Sequence, residues 1–203
     1  QVLRHEIAHV VAGEFGDPIF GVAAGRVLGI PLFFNVGLIE GTAVAADWPD
    51  HFDKALTPHQ SVKAMQALGY APPTHKLFST GFLSFASGRS YTVAGSFLRF
   101  LLDEYGAQPF RSVYRNGGDF MASYGKSQRA LIAEWQAYLD SLVLPESDIE
   151  VIRERFRSPG IMKRPCPHAI ARKRDAMHRA HNPYGDGRAS ARIADALAGA
   201  IDR

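Results

Sequence analysis

Near its start the chain reads His5-Glu6-Ile7-Ala8-His9, two imidazoles and one carboxylate in the H-E-x-x-H pattern of hydrolytic zinc sites. On a helix, residues four apart differ by about 40° in direction and their Cβ atoms stand roughly 5–6 Å apart, so His5 and His9 can hold one metal ion. Glu6 points about 100° away from His5, outside the ligand set but within reach of a water on the metal, which suits a general base. The neighbours Val2, Leu3, Ile7, Ala8, Val10, Val11 and Ala12 are apolar. Three ionisable groups among them are costly to bury without a metal or partners.

Two histidines are not enough, because zinc hydrolases supply three protein ligands and leave the fourth position for water. The next candidate is Glu40, in the Ala-rich stretch Gly37-Leu38-Ile39-Glu40-Gly41-Thr42-Ala43-Val44-Ala45-Ala46-Asp47. Its small residues allow two helices and a metal to approach closely. Against this stands an exposed Glu near a helix N-terminus, favoured by the dipole. Asp47 lies two turns beyond Glu40 on the same face, placed either to accept the second ring N–H of a ligand histidine or to sit solvated at the helix end.

His5-Glu6-x-x-His9 followed by Glu40-Gly41-Thr42-Ala43 resembles the gluzincin metallopeptidases, the group of thermolysin and the aminopeptidase N type, and more closely their peptidase MA-like members. The resemblance implies His5, His9 and Glu40 as Zn2+ ligands and Glu6 as general base. The segment from Tyr91 to Gly106 is similar to that group's Tyr-containing helix, which implies that Tyr91 stabilises the tetrahedral oxyanion. Here Gly95 follows the tyrosine by four residues, where the aminopeptidase form has three. Gly118-Asp119-Phe120, Ala122-Ser123-Tyr124-Gly125 and Glu134-Trp135 also fit the pattern, as scaffold. The resemblance covers about residues 1–158.

That likeness implies zinc-dependent hydrolysis of a peptide or protein substrate: water activated by the metal, deprotonated by Glu6, and the proton returned to the leaving amine. A catalytically impaired zinc-binding scaffold of the same fold is the alternative, and a zinc hydrolase of a non-peptide amide or ester is a third reading. Gluzincins place a sheet ahead of the motif helix, so the resemblance further implies that this sheet lobe, the exopeptidase determinants and any targeting segment lie outside the sequence.

The elements that must position these groups are mainly α-helical. Helices are expected over Gln1 to Phe15, Val36 to Asp47, Thr57 to Leu68, a stretch ending at Tyr105, Phe110 to Asn116, Asp119 to Tyr124, Ser127 to Leu142 and Pro145 to Arg157. Ile19 to Phe34 is broken by glycines and predicts an irregular crossing with one short extended piece. Ser158-Pro159-Gly160 marks a boundary, and residues 159–203 read as a basic helical tail, resembling the entry to helical repeats that dock or continue further. Together these give a mainly α chain, the helical lower lobe of a zincin-like peptidase with a short helical tail.

With 203 residues, 46% hydrophobic and 21% charged, there is material for one core, and widespread disorder is excluded. The formal charge is only +3, and the basic tail lacks the interleaved aromatics of single-strand binders, so no nucleic-acid partner is expected. No run of eighteen apolar residues exists, so no transmembrane segment is expected. The single cysteine, Cys166, excludes an internal disulfide and reads as a buried small residue. His51, His59, His75, His168, His178 and His181 are expected at the surface, and Arg99 in a salt bridge rather than on a substrate carboxylate.

Overall fold

The structure is a computed structural model, which describes residues 2–17, 22–27, 30–47, 56–85 and 87–156. The expected tail, together with Cys166, His51, His168, His178 and His181, lies outside the described residues. Within them the fold is mainly helical. Helix α1 spans Val2–Gly13 and is followed by strands β1 (Ala23–Val27) and β2 (Ile30–Phe34) and by α2 (Val36–Ala46). Then come α3 (Pro58–Ala67), α4 (Thr74–Leu77), a 3-10 turn at Thr80–Ser84, and α5 (Ser87–Tyr105). Helices α6 (Ala107–Arg115), α7 (Phe120–Tyr124), α8 (Gln128–Ser141) and α9 (Glu146–Phe156) complete the order.

Between α1 and α2 the sequence predicts one extended piece, whereas the chain forms an antiparallel hairpin pairing Ala23 with Phe34, Ala24 with Phe33, Arg26 with Pro31 and Val27 with Ile30. Each five-residue strand satisfies backbone groups through the other, a pairing that no pattern within one short window reports.

Helix α5 is the axis of the core. Val93, Ala94, Phe97, Leu98 and Leu101 are fully buried along it, and the Phe97 ring meets Phe78, Phe120 and Trp135 at centroid distances of 5.4, 6.0 and 5.5 Å. Its neighbours include α2, α3 and α8, which surround its middle turns as expected for a helix apolar on most of its circumference. The caps follow local chemistry. Thr57 and Gln60 form a reciprocal capping box at α3, with Pro58 in the first turn, while Asp119 and Ser127 cap α7 and α8.

Asn35 ties the second ligand helix to the rest. Its Oδ1 accepts from the Leu38 N–H at the start of α2, and its Nδ2 donates to the carbonyls of Phe78 and Gly117 at 3.1 and 3.0 Å. A cap of this kind contributes about 1 kcal/mol, and the two buried carbonyls it satisfies raise the cost of removing it. Helix α1 packs on α2 through its ligand face and buried Ala12, while Leu3, Ile7, Val10 and Val11 on its outer side remain exposed.

One surface expectation fails. His59 is 6% exposed, with its Nδ1 2.7 Å from Ser96 Oγ, and that same oxygen accepts from Trp135 Nε1 at 3.2 Å. The Tyr138 ring closes over it edge-on. Burial pushes the His59 imidazole down to about 4, opposed by the charge of Asp103 and aided by that of Arg99. His75, by contrast, is exposed as expected.

Candidate metal centre

Helix α1 presents His5 and His9 one turn apart, and α2 brings Glu40 against them from across the α1–α2 contact. The two Nε2 atoms are 3.1 Å apart, and each lies 3.3 Å from Glu40 Oε2. The rings stand edge to face, with centroids 4.7 Å apart and planes at 89°. Three donor atoms therefore form a nearly equilateral triangle. A tetrahedral ion with bonds of about 2.0–2.1 Å sets its ligand atoms roughly 3.3 Å apart, so the triangle has the size of one face of such a site. His5, His9 and Glu40 form the cluster with metal-holding geometry among the described residues. Their side chains keep 22%, 23% and 21% of their surface exposed, which leaves the triangle open to solvent on one side.

Tyr91 reaches the same place from the first turns of α5. Its ring centroid is 6.3 Å from that of His5, and Phe82 braces it from the 3-10 turn at 5.3 Å. The phenol is pushed above its ordinary range by burial, then by the charge of Glu40 and a hydrogen bond it donates to that carboxylate, then by the charge of Glu6. Glu6, on the exposed side of α1, is therefore close enough for its charge to be felt at the Tyr91 hydroxyl. His5, His9, Glu40 and Tyr91 thus come together from three helices, while Glu6 is exposed on α1.

Two glycines allow this convergence. A Cβ on Gly41 of α2 would meet Ala94 Cβ and Leu98 Cδ1 of α5 at 2.9 Å, and one on Gly95 of α5 would meet Val44 Cγ1 of α2 at 2.2 Å. Only hydrogen fits at either position, so the helix carrying Glu40 and the helix carrying Tyr91 approach to backbone contact.

Comparison with known protein families, curated proteins and solved structures finds no match to this chain.

Asp47 is not drawn into the centre. It is the C-cap of α2, with its N–H bonded to the Ala43 carbonyl, and among the described residues its carboxylate makes no hydrogen bond to His5 or His9. Seven residues of helix separate it from Glu40 by about 10 Å, so sharing a face does not bring it to the metal ligands. Arg99 forms the expected salt bridge, with Nε 3.0 and 2.9 Å from the two Asp103 oxygens, and its Nη1 also meets the Ala45 carbonyl at 3.4 Å. A guanidinium on the last carbonyls of α2 suits the negative end of that helix.

Tyr114 on α6 escaped the sequence reading. It is buried, and its phenol is raised first by burial and then by the Glu40 charge. No spacing rule links residues 40 and 114; the only sequence signal was a polar-tipped aromatic beside Val113 on an amphipathic helix. Glu134 belongs to the scaffold instead, pairing with Lys126 at 2.6 Å and accepting from the Tyr105 hydroxyl.

No described helix is long and apolar enough to cross a membrane.

Proposed function

We propose that this chain carries the zinc site and catalytic helices of a gluzincin-like metallopeptidase and hydrolyses peptide bonds. The observation that carries the reading is the His5–His9–Glu40 triangle, whose edges of 3.1, 3.3 and 3.3 Å match a zinc-sized tetrahedral face. Two neutral imidazoles and one carboxylate are also the donor set of known catalytic zinc sites with an open fourth position. A zinc ion held there supplies Lewis acidity and lowers the pKa of water to about 7.

The chain's own groups supply the rest. The Glu6 carboxylate, one residue from His5 and off the ligand face, accepts the water proton and delivers it to the leaving nitrogen. The Tyr91 hydroxyl, like any phenol at neutral pH, carries its proton and is available to donate to the substrate carbonyl oxygen as charge develops there.

The test is incubation of the zinc-loaded protein with a broad peptide library and detection of new termini by mass spectrometry. Cleavage that stops on chelation and returns with zinc supports the proposal; an intact library contradicts it.

A further inference from the structure

A groove of about 380 Å³ opens between Phe15, just past the end of α1, and the α6 face carrying Gln108, Arg111, Ser112 and Arg115. These four positions follow helical spacing, so two guanidiniums, an amide and a hydroxyl line one wall. Arg111 is fixed with its guanidinium carbon 4.7 Å from the centre of the Phe15 ring. Stacking of this kind immobilises the plane but leaves its N–H edges available for a bidentate partner. Among the described residues neither Arg111 nor Arg115 is paired with a carboxylate. Ser123 donates to Ser112 Oγ, which frees the Ser112 hydrogen to point elsewhere.

We infer that this groove is a subsite for a substrate carboxylate. The inference rests on the peptidase reading and adds a substrate class to it: peptides carrying an acidic side chain or a free C-terminus close to the scissile bond. Position gives the spacing. Phe15 lies six residues beyond His9, or about 9 Å along the continued axis of α1. An extended peptide covers that distance in roughly three residues. Planar, always-charged guanidiniums four residues apart suit a carboxylate better than a neutral amide, because each offers two parallel N–H bonds.

The experiment uses the zinc-loaded full chain carrying E6Q, so that bound peptide survives, and three fluorescent hexapeptides read by anisotropy. One carries Asp with an amidated C-terminus, one carries Asn with a free C-terminus, and one carries Asn and is amidated. At least one carboxylate peptide is expected to bind about tenfold tighter than the neutral one, the size of a single charge-assisted pair. R111Q/R115Q should bring the carboxylate peptides down to the affinity of the neutral one, and R111K/R115K should restore part of the difference. The acidic peptide that binds tighter identifies the source of the carboxylate. Equal or undetectable binding of all three, or a preference that survives R111Q/R115Q, overturns the subsite. A carboxylate preference in a protein that cleaves nothing keeps the subsite and removes the peptidase reading; cleavage without preference does the reverse.

Discussion

Gly95 lies directly against Val44, so close that a methyl group on it would stand 2.2 Å from Val44 Cγ1 and 2.6 Å from Val44 Cβ. Since Cβ is itself in the way, rotating the valine cannot relieve the contact. The pair therefore fixes the distance between the helix of Glu40 and the helix of Tyr91.

G95A should consequently destabilise the protein although alanine is the better helix former. Propensity favours the change by about 1 kcal/mol, whereas overpacking of this kind costs roughly 1–3 kcal/mol and moves a helix. The expected result is a lower midpoint in denaturant and weaker zinc binding, with the zinc binding largely recovered in G95A/V44G, which removes the obstructing Cβ. A G95A protein as stable as the parent, with unchanged zinc affinity, would show that the contact does not set the site.

Tyr91 should act on the transition state alone. Y91F keeps the ring against Phe82 and His5 but removes the donor, so zinc content and KM should change little while kcat falls about a hundredfold or more. Steady-state kinetics with metal analysis separate this from a structural role, in which zinc would be lost as well.

What the sequence made legible was local. His5 and His9 lie one turn apart on one helix, so their juxtaposition follows from helical geometry; Glu40 could be nominated because small residues surround it. The caps at Thr57, Asp119 and Ser127 were readable for the same reason, each depending on residues within one turn. Distant partners were not readable. The burial of His59 depends on Ser96 and Trp135, which lie 37 and 76 positions away, and its charged sequence neighbourhood suggested a surface site. The hairpin needed pairing between two segments, and Asp47 shows that a shared helix face does not guarantee a shared site. Gly95, odd as a spacing relative to Tyr91, becomes intelligible only once Val44 is seen beneath it.

His59 should make folding pH-dependent in the acid range. Its folded pKa, about 4, lies below the ordinary value of 6.5, so the unfolded chain takes up the proton first as pH falls. The neutral, buried form contributes fully above about pH 6.5, and the contribution is lost as pH drops through 4. The difference amounts to roughly 3 kcal/mol. Urea unfolding of the parent and of H59Q from pH 7 to 4 checks this. H59Q should be less stable at pH 7 but show a flatter decline, since the other titrating groups are common to both; parallel curves would contradict the burial of a neutral imidazole.

The most direct test of the central claim is Glu6→Gln, read by zinc content and by peptide hydrolysis on the same preparation. The parent should hold one zinc per chain through His5, His9 and Glu40 and cleave peptides. E6Q should keep that zinc and lose at least about a hundredfold in turnover, the lower bound for removing a general base. An E6Q protein with the parent's turnover, or a parent that binds no zinc, would contradict the account.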